Sequence, residues 1–208
     1  MLTDDDLEYV ERVKAGDRQS FAKLVNRHQD RVHNYLMRFV GNREDAADLT
    51  QESFLRAYRS LDSYCSNTPF GVWLFSIAHN LACDLLRRRK LVEFVDINLC
   101  IEPMDPVSDP EWCCSLSEQL VFVERALATL KAEQREILVL RDQEGMSHED
   151  ISSIMGINVG TVKSRLSRSR EALHRTYKKM TKNTNNVKVG CTEFGLKNNM
   201  SSRESENG

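Results

Sequence analysis

The segment from Ser147 to Lys179 constrains the fold of this chain most, because it specifies two helices and the corner between them. Ser147 and Asp150 have the spacing of a capping box, with Asp in place of Glu, and predict a helix start. The apolar residues of that helix share one face, and they are Ile151, Ile154 and Met155. Gly156 accepts the left-handed backbone that ends a helix, and Asn158 can cap the next one. The sequence therefore predicts two helices joined by a tight corner.

The second of these helices has one apolar side and one polar, basic side. The apolar residues follow spacings of four and seven: Val162, Leu166 and Leu173, with Tyr177 continuing the stripe. Opposite them lie hydroxyl and charged residues: Ser164, Ser167, Arg168 and Glu171, flanked by Thr161 and Lys163. Residues 158 to 182 contain eight Lys or Arg and one acid, in a chain whose net charge is -2. Positive charge is thus concentrated on this helix.

A helix with such a surface can lie in the major groove of DNA. Arg and Lys donate to the acceptors of guanine there, and Ser or Thr can bond to either base type. The alternative is a solvated basic helix with no ligand. The tight corner, the helix caps, the apolar stripe and the concentration of positive charge all indicate the same structure. We therefore interpret the segment as a DNA-binding helix-turn-helix.

Composition predicts an all-α protein. With four Pro, nine Gly and few alternating Val- or Thr-rich runs, helices are favoured over strands. The first residues lack the pattern of a secretory signal and no apolar run reaches membrane-spanning length, so we expect a cytoplasmic location. The six cysteines form no Cys-x-x-Cys pair, so no zinc site or disulfide framework is indicated. For Cys113 and Cys114, a structural thiol and a redox or metal sensor are the alternatives.

The chain divides at an acidic segment. Residues 91–117 contain three of the four prolines and six acids, without Lys or Arg, and are predicted to be a flexible linker. It separates a helical domain at 7–90 from a helix-turn-helix domain at 118–180. The remaining residues, 181–208, are polar and rich in Asn and Ser, and predict a disordered tail.

Three helices are predicted in the first domain. One carries apolar residues from Phe21 to Phe39 and stops at Gly41, with His28 on its apolar stripe as a core or boundary residue. The next runs from about residue 44 to 61 and leaves polar residues for solvent or a partner. The third follows the cap Thr68-Pro69 and runs to Lys90.

The third helix ends in four cations, Arg87 to Lys90, and begins beside several aromatic residues: Tyr64, Phe70, Trp73 and Phe75. Aromatic residues near cations can hold unpaired bases and grip phosphates. Alternatively, the aromatic residues belong to the core and the cations complement the helix dipole. Composition alone does not separate these two readings.

Three motifs resemble the bacterial sigma-70 family, extracytoplasmic-function (ECF) group, in sequence, order and spacing. They are DAADLTQESFLRAYRSL from Asp45, FGVWLFSIAHNLACDLLRRRK from Phe70, and LKAEQREILVLRDQEGMSHEDISSIMGINVGTVKSRLSRSREAL from Leu130. The resemblance implies a promoter-specificity subunit of RNA polymerase. It would have two small helical domains, called sigma-2 and sigma-4, and no active site.

The resemblance also implies three groups of binding residues. Those facing the clamp helices of the largest polymerase subunit are Asp48, Gln51, Glu52 and Phe54. Those near the minus-10 element, with a base flipped into the loop from Asp62 to Pro69, are Tyr64, Asn80, Asp84, Arg87 and Arg88. Those reading the minus-35 element are Thr161, Lys163, Ser164, Arg165, Ser167 and Arg168. The flap of the second-largest polymerase subunit is a further implied partner, and the linker would thread toward the active-centre cleft.

Most ECF relatives are held inactive by a cognate anti-sigma factor, frequently a membrane protein, and this is an implied partner here as well. The residues from Trp112 to Cys114 and those after Met180 match no part of the family pattern. A stand-alone helix-turn-helix regulator is the main alternative, but it would leave the first 90 residues without a purpose. An enzyme is not expected. The sequence shows no nucleophile and general base at the spacing of a known catalytic motif, no Gly-rich phosphate-binding loop and no cluster of metal ligands. We expect no cofactor.

Overall fold

The computed structural model describes residues 5–95 and 118–183, and these residues form helices and turns. The eight α-helices are α1 Asp5–Lys14, α2 Arg18–Val40, α3 Arg43–Arg59, α4 Phe70–Val95, α5 Glu118–Ala128, α6 Ala132–Leu138, α7 His148–Met155 and α8 Val159–Asn183. The all-α prediction is confirmed. Helix α8 continues to Asn183, so the first three residues of the predicted tail, 181–183, are helical and not disordered. The rest of that tail and the cysteines at 113 and 114 lie outside the described residues.

The N-terminal block, residues 5–95, is delimited by local capping signals. The side chain of Asp17 accepts a hydrogen bond from the Gln19 amide at the start of α2. Gly41 ends that helix with a left-handed φ of 73°, and Asn42 caps α3 by accepting from the Asp45 amide at 3.0 Å. The predicted stop after Phe39 is thus confirmed. A 3-10 turn at Leu61–Ser63 follows α3, which ends at Arg59 rather than at the predicted Leu61.

Helix α4 extends further than the sequence analysis predicted. It begins at Phe70, after Pro69, and continues to Val95, five residues beyond the predicted end at Lys90. The sequence LVEFV after Lys90 contains neither Gly nor Pro, so nothing in it breaks the helix. The prolines begin only at Pro103, outside the described residues.

The C-terminal block, residues 118–183, contains the predicted corner. The Ser147 hydroxyl accepts from the Asp150 amide at 3.0 Å, and the Ser147 amide donates to the Asp150 carboxylate at 3.1 Å, which completes the capping box. Gly156 ends α7 with φ 64°. The Asn158 side chain then accepts from the Thr161 amide at 2.7 Å and starts α8. Between α6 and α7 the chain makes a π-helical turn at Val139–Gln143, which the sequence analysis missed.

The two blocks pack against each other. Helices α2 and α4 of the N-terminal block contact α6 and α7 of the C-terminal block. The buried hydrophobic residues of both blocks form one continuous cluster. His28 is buried in the N-terminal part, where its Nε2 lies 2.9 Å from the Asp6 carboxylate, as expected for a core histidine. No helix among the described residues has the length and apolarity needed to cross a lipid bilayer.

Candidate nucleic-acid and polymerase-binding surfaces

The outward face of α8 presents hydroxyls and cations to solvent. Val162, Leu166 and Leu173 are buried, so they fix the helix on the C-terminal block. The opposite side exposes Lys163, Ser164, Ser167 and Arg168. The exposed Arg168 guanidinium lies over the preceding turn, where it donates to the Ser164 carbonyl at 3.2 Å. This bond is replaceable by a base or phosphate acceptor because the donor is open to solvent.

Two other predicted minus-35 residues have structural contacts. Thr161 is held by its own cap, since its hydroxyl donates to the Asn158 side chain at 2.9 Å. Arg165 is half-buried and lies 3.5 Å from the exposed Glu133 carboxylate on α6. We infer that both stay available at the edge of the face, while the centre of the face is formed by the four exposed residues named above.

A second candidate surface, partly apolar and partly polar, runs along α4. Trp73, Ile77, Asn80 and Asp84 follow spacings of four, three and four, so they share one side of the helix. Asn80 is exposed, and its amide makes no hydrogen bond within the described residues. Asp84 pairs with Arg87 at 2.9 Å in an exposed ion pair, and Arg88 is also exposed. These predicted minus-10 residues therefore form a continuous surface.

Tyr64 differs from the other predicted minus-10 residues because it is buried. Its hydroxyl donates to the Thr68 carbonyl at 2.6 Å, and its ring lies 5.0 Å from that of Trp73 and 5.9 Å from that of Phe70. Burial raises the pKa of the phenol, so it is a neutral donor at physiological pH. Tyr64 thus fixes the shape of the loop from Asp62 to Pro69 instead of offering its ring to a ligand.

The structure adds two cations to this surface that the sequence analysis missed. Arg56 and Arg59, at the end of α3, line a cavity of about 360 Å³ together with Ser60, Ile77 and Asn80. Arg56 is paired with Glu52 at 2.8 Å, whereas the exposed Arg59 guanidinium has no polar partner among the described residues. The spacing of three between Arg56 and Arg59 indicates that they share one side of α3. No sequence signal near them indicates that this side faces Asn80.

The predicted polymerase-binding residues lie on α3 in different environments. Asp48 and Gln51 are exposed, Glu52 is half-buried, and Phe54 is buried at 7% exposure. Gln51 and Phe54 line an apolar groove of about 770 Å³ between α2 and α3, which also includes Phe21, Val25, Ala47, Leu55 and Tyr58. Phe54 is therefore a buried part of the groove lining and Gln51 an exposed part, while Asp48 is exposed on the same helix outside the lining. The groove itself was not predicted.

Among the described residues, no group of three or more His, Cys, Asp or Glu side chains is arranged to hold a metal ion. The surfaces described above are built from exposed cations, hydroxyls and amides and from an apolar groove. They are suited to binding macromolecules through many contacts, and the chemistry of the exposed side chains favours nucleic acid on α4 and α8.

Comparison with known proteins matches two regions of the chain to protein families. Residues 24–92 match the family described as Sigma-70 region 2, and residues 123–173 match Sigma-70, region 4. The chain is 37% identical to the ECF RNA polymerase sigma-E factor of Haemophilus influenzae, over 83% of this chain and 94% of the relative. It is 33% identical to the ECF RNA polymerase sigma factor SigW of Bacillus subtilis, over 80% of this chain and 93% of the relative.

Two solved structures have a fold similar to that of this chain. The sigma factor RpoE from Bartonella quintana, in complex with the anti-sigma factor NepR, is 26% identical with a TM-score of 0.65, covering 77% of this chain and 98% of that one. CnrH, in complex with the cytosolic domain of CnrY, has a similar fold with 24% identity and a TM-score of 0.62, covering 88% and 100% of the two chains. The chain therefore belongs to the extracytoplasmic-function group of the sigma-70 family and is a promoter-directing RNA polymerase sigma factor.

Proposed function

We propose that this factor reads the minus-35 element with α8 and captures the opened minus-10 element with α4 and the loop before it. The exposed row of cations and hydroxyls on α8, opposite the buried Val162, Leu166 and Leu173, carries the proposal. We propose that the factor acts without a catalytic residue, metal or cofactor, because its role in transcription initiation is to bind polymerase and promoter DNA. The domains proposed for these tasks are residues 7–90 and 118–180, joined by 91–117.

At the minus-35 element, Arg168 and Lys163 donate to base acceptors while Ser164 and Ser167 contact bases or phosphates. Arg175 lies further along α8 and pairs loosely with Glu171 at 3.9 Å, so it is suited to a phosphate contact. Arg168→Ala should therefore cost about 1–3 kcal/mol in discrimination at one base position. Arg175→Ala should weaken binding evenly across sequences. Equal losses on matched and mismatched promoters for both variants would contradict base reading by Arg168.

At the minus-10 element, strand opening is driven by binding energy. Extruding a base costs a few kcal/mol of stacking, which contacts to the base and to phosphates can offset. The Asn80 amide, which has no hydrogen-bond partner among the described residues, can bind a base edge, and Arg59, which has no polar partner among them, lines the same cavity. Arg87 and Arg88 extend the surface for phosphates. Tyr64 acts indirectly, by holding the loop.

Asn80→Ala should lower transcription from a duplex promoter, and a pre-melted minus-10 bubble should restore much of the loss because the unpairing cost is already met. Arg59→Ala should behave in the same way if it grips the extruded nucleotide. Arg87→Ala and Arg88→Ala should show defects that deepen with salt on both templates, as expected for phosphate contacts. Permanganate reactivity of thymines in the duplex measures opening directly. Normal reactivity with the Asn80 variant would remove that residue from strand capture.

Core polymerase is proposed to bind the outer face of α3, through Asp48, Gln51 and Glu52, with the adjoining apolar groove receiving part of the clamp helices. The flap of the second-largest subunit would contact the C-terminal block. An anti-sigma factor is a proposed further partner, since RpoE and CnrH were solved with an anti-sigma factor and with CnrY respectively. Because its partner enzyme transcribes the chromosome, the factor is proposed to work in the cytoplasm.

Run-off transcription with purified core polymerase tests the proposal as a whole. The factor should start transcripts at defined promoters only when core enzyme is present, and should bind promoter duplex weakly by itself. Tight, specific duplex binding without polymerase, together with no transcript in its presence, would favour a stand-alone regulator instead.

A further inference from the structure

Helix α1 contacts the loop that is proposed to capture the minus-10 base. The Lys14 ammonium, in the last turn of α1, donates to the Tyr64 carbonyl at 3.0 Å and lies 5.8 Å from the centre of the Tyr64 ring. The two residues are 50 positions apart in the sequence. The match to Sigma-70 region 2 begins at residue 24, so it does not include α1. A helix outside the matched region is thus joined to the minus-10 surface.

Tyr64 is the residue at which the shape of this loop is fixed. Between the 3-10 turn at Leu61–Ser63 and the start of α4, the chain forms turns and bends without a helix. The Tyr64 hydroxyl donates to the Thr68 carbonyl at 2.6 Å, which joins the two sides of the loop. The Lys14 bond holds the Tyr64 backbone from outside the loop. A displacement of Tyr64 would therefore disturb both bonds.

Helix α1 is itself anchored on α2, although it is ten residues long. An isolated helix of that length is marginal in water, so its position depends on tertiary contacts. The Asp6 carboxylate is 4% exposed and accepts from His28 Nε2 at 2.9 Å and from Arg27 Nη1 at 2.8 Å. The Arg27 guanidinium also lies 5.4 Å from the Tyr9 ring. Because a buried carboxylate needs its donors in place, these contacts fix the point from which Lys14 reaches the loop.

The Lys14 bond can influence base capture without any contact between Lys14 and DNA. A hydrogen bond with a charged donor is stronger than a neutral one. A loop that is already held in its binding shape loses less conformational entropy when it receives a base, so its affinity for the base is higher. Loss of the Lys14 bond should therefore reduce base capture while every side chain that faces the DNA stays in place.

We propose that α1 belongs to the minus-10 capture site and that Lys14 is a positioning residue, which holds the loop from Asp62 to Pro69 in the shape that receives an extruded base. The inference rests on the proposed capture of the minus-10 element by α4 and this loop. Lys14 acts through the Tyr64 backbone, and Asp6 anchors the helix that carries it.

Promoter opening by the holoenzyme of the full-length chain tests this role. Lys14→Met keeps an unbranched side chain but removes the donor. It should reduce the permanganate reactivity of minus-10 thymines in a duplex promoter about 3- to 10-fold, the range expected for one hydrogen bond. Lys14→Arg keeps a charged donor and should restore much of the loss.

The matched control is Arg12→Met, which removes a cation from the same turn of α1. Arg12 is exposed, pairs with Glu8 at 2.5 Å and lies about 200° around the helix from Lys14, on its opposite side. Its loss should leave promoter opening unchanged. Opening by Lys14→Met equal to that of Arg12→Met would overturn the inference.

The salt dependence of promoter binding separates positioning from a direct phosphate contact. A lysine that neutralises one phosphate contributes about 0.7–0.9 to the slope of log affinity against log salt concentration. On a pre-melted template, Lys14→Met should lower the holoenzyme affinity by the same factor at every salt concentration and leave the slope unchanged. A smaller slope would identify Lys14 as a phosphate contact and would overturn its positioning role.

Two further measurements separate positioning from a general folding defect. Lys14→Met and Tyr64→Phe loosen the same loop, so the loss in the double variant should be smaller than the product of the two single losses. Core affinity in a pull-down should stay at the wild-type level, because the polymerase-binding face of α3 is not changed. Single losses that multiply in the double variant, or a loss of core affinity, would contradict the inference. If Asn80→Ala also left opening unchanged, the proposed minus-10 surface would fail as well, whereas an effect of Asn80→Ala alone would remove only the role of α1.

Discussion

The corner of the helix-turn-helix allows a direct test of its left-handed backbone conformation. Two glycines there, four residues apart, differ in the sign of their φ angles. Gly156 has φ 64°, in the left-handed region, and a Cβ built there meets no heavy atom within 4 Å. Gly160 in the first turn of α8 has no positive φ, and a Cβ there would lie 3.4 Å from the Asn158 side-chain oxygen, an ordinary contact. The difference in stability between Gly156→Ala and Gly160→Ala therefore measures the effect of the left-handed backbone.

The expected magnitudes follow from two effects. Gly→Ala stabilises a compatible site by about 0.4–1 kcal/mol, because the unfolded chain loses freedom. At Gly156, the left-handed conformation costs an L-residue about 1–2 kcal/mol, so Gly156→Ala should be destabilising overall. Gly160→Ala should be neutral to stabilising. The unfolded-state effect is common to both variants and cancels in their difference, which should be about 1–2 kcal/mol.

Hydrogen exchange of the α7 and α8 amides in the full chain measures this difference, as a ratio of protection of about 5–30 between the two variants. Gly156→Asn should recover part of the loss, because Asn tolerates the left-handed region better. Equal protection in the two Ala variants would refute the assignment of the corner to left-handed backbone. A Gly156→Ala variant that is as well protected as wild type would do the same.

Three further outcomes are expected. Burial raises the pKa of Asp6, but hydrogen bonds and charges from His28 and Arg27 outweigh it and hold that pKa below its usual 3.8. The pair therefore stabilises the fold fully above about pH 3.8 and is lost as the pH falls through the folded-state pKa, so Asp6→Asn should flatten the acid limb of a stability profile. Tyr64→Phe removes the bond to the Thr68 carbonyl and should cost about 0.5–1.5 kcal/mol in urea denaturation, with less loss of transcription on a bubble template than on duplex. Replacing both Asp48 and Gln51 by Ala should weaken core polymerase in a pull-down without changing helicity, and unaltered core affinity would take that face out of the interface.

The features that the sequence predicted correctly depend on neighbours along the chain. The Ser147 capping box and the Asn158 cap are each completed within three residues, and Gly156 ends its helix through its own backbone. Capping interactions of this short range can be predicted from the sequence, because they do not depend on contacts with distant segments. The apolar stripe of α8 was likewise predictable, since the helical period alone sets which side is buried.

The features that were missed depend on contacts between distant segments. Glu136 looks like an ordinary surface residue in sequence, yet its partners Tyr35 and His79 are 101 and 57 residues away. Arg59 faces Asn80 only because α3 and α4 pack together. Tyr64 belongs to an aromatic pattern that composition could assign to the core or to a ligand, and only the packing around it places it inside. Helical spacing cannot tell which helix will cover a given face.

The continuous core through both blocks bears on how long the factor survives. While the blocks are packed, they are expected to unfold in one cooperative step, and local openings expose little chain to a protease. Once separated, each becomes a unit of roughly 60–90 residues, a size at which a single core gives marginal stability. A chain whose blocks have separated should therefore be degraded faster than one whose blocks are packed. Contacts between the two blocks would then determine the rate at which the chain is degraded.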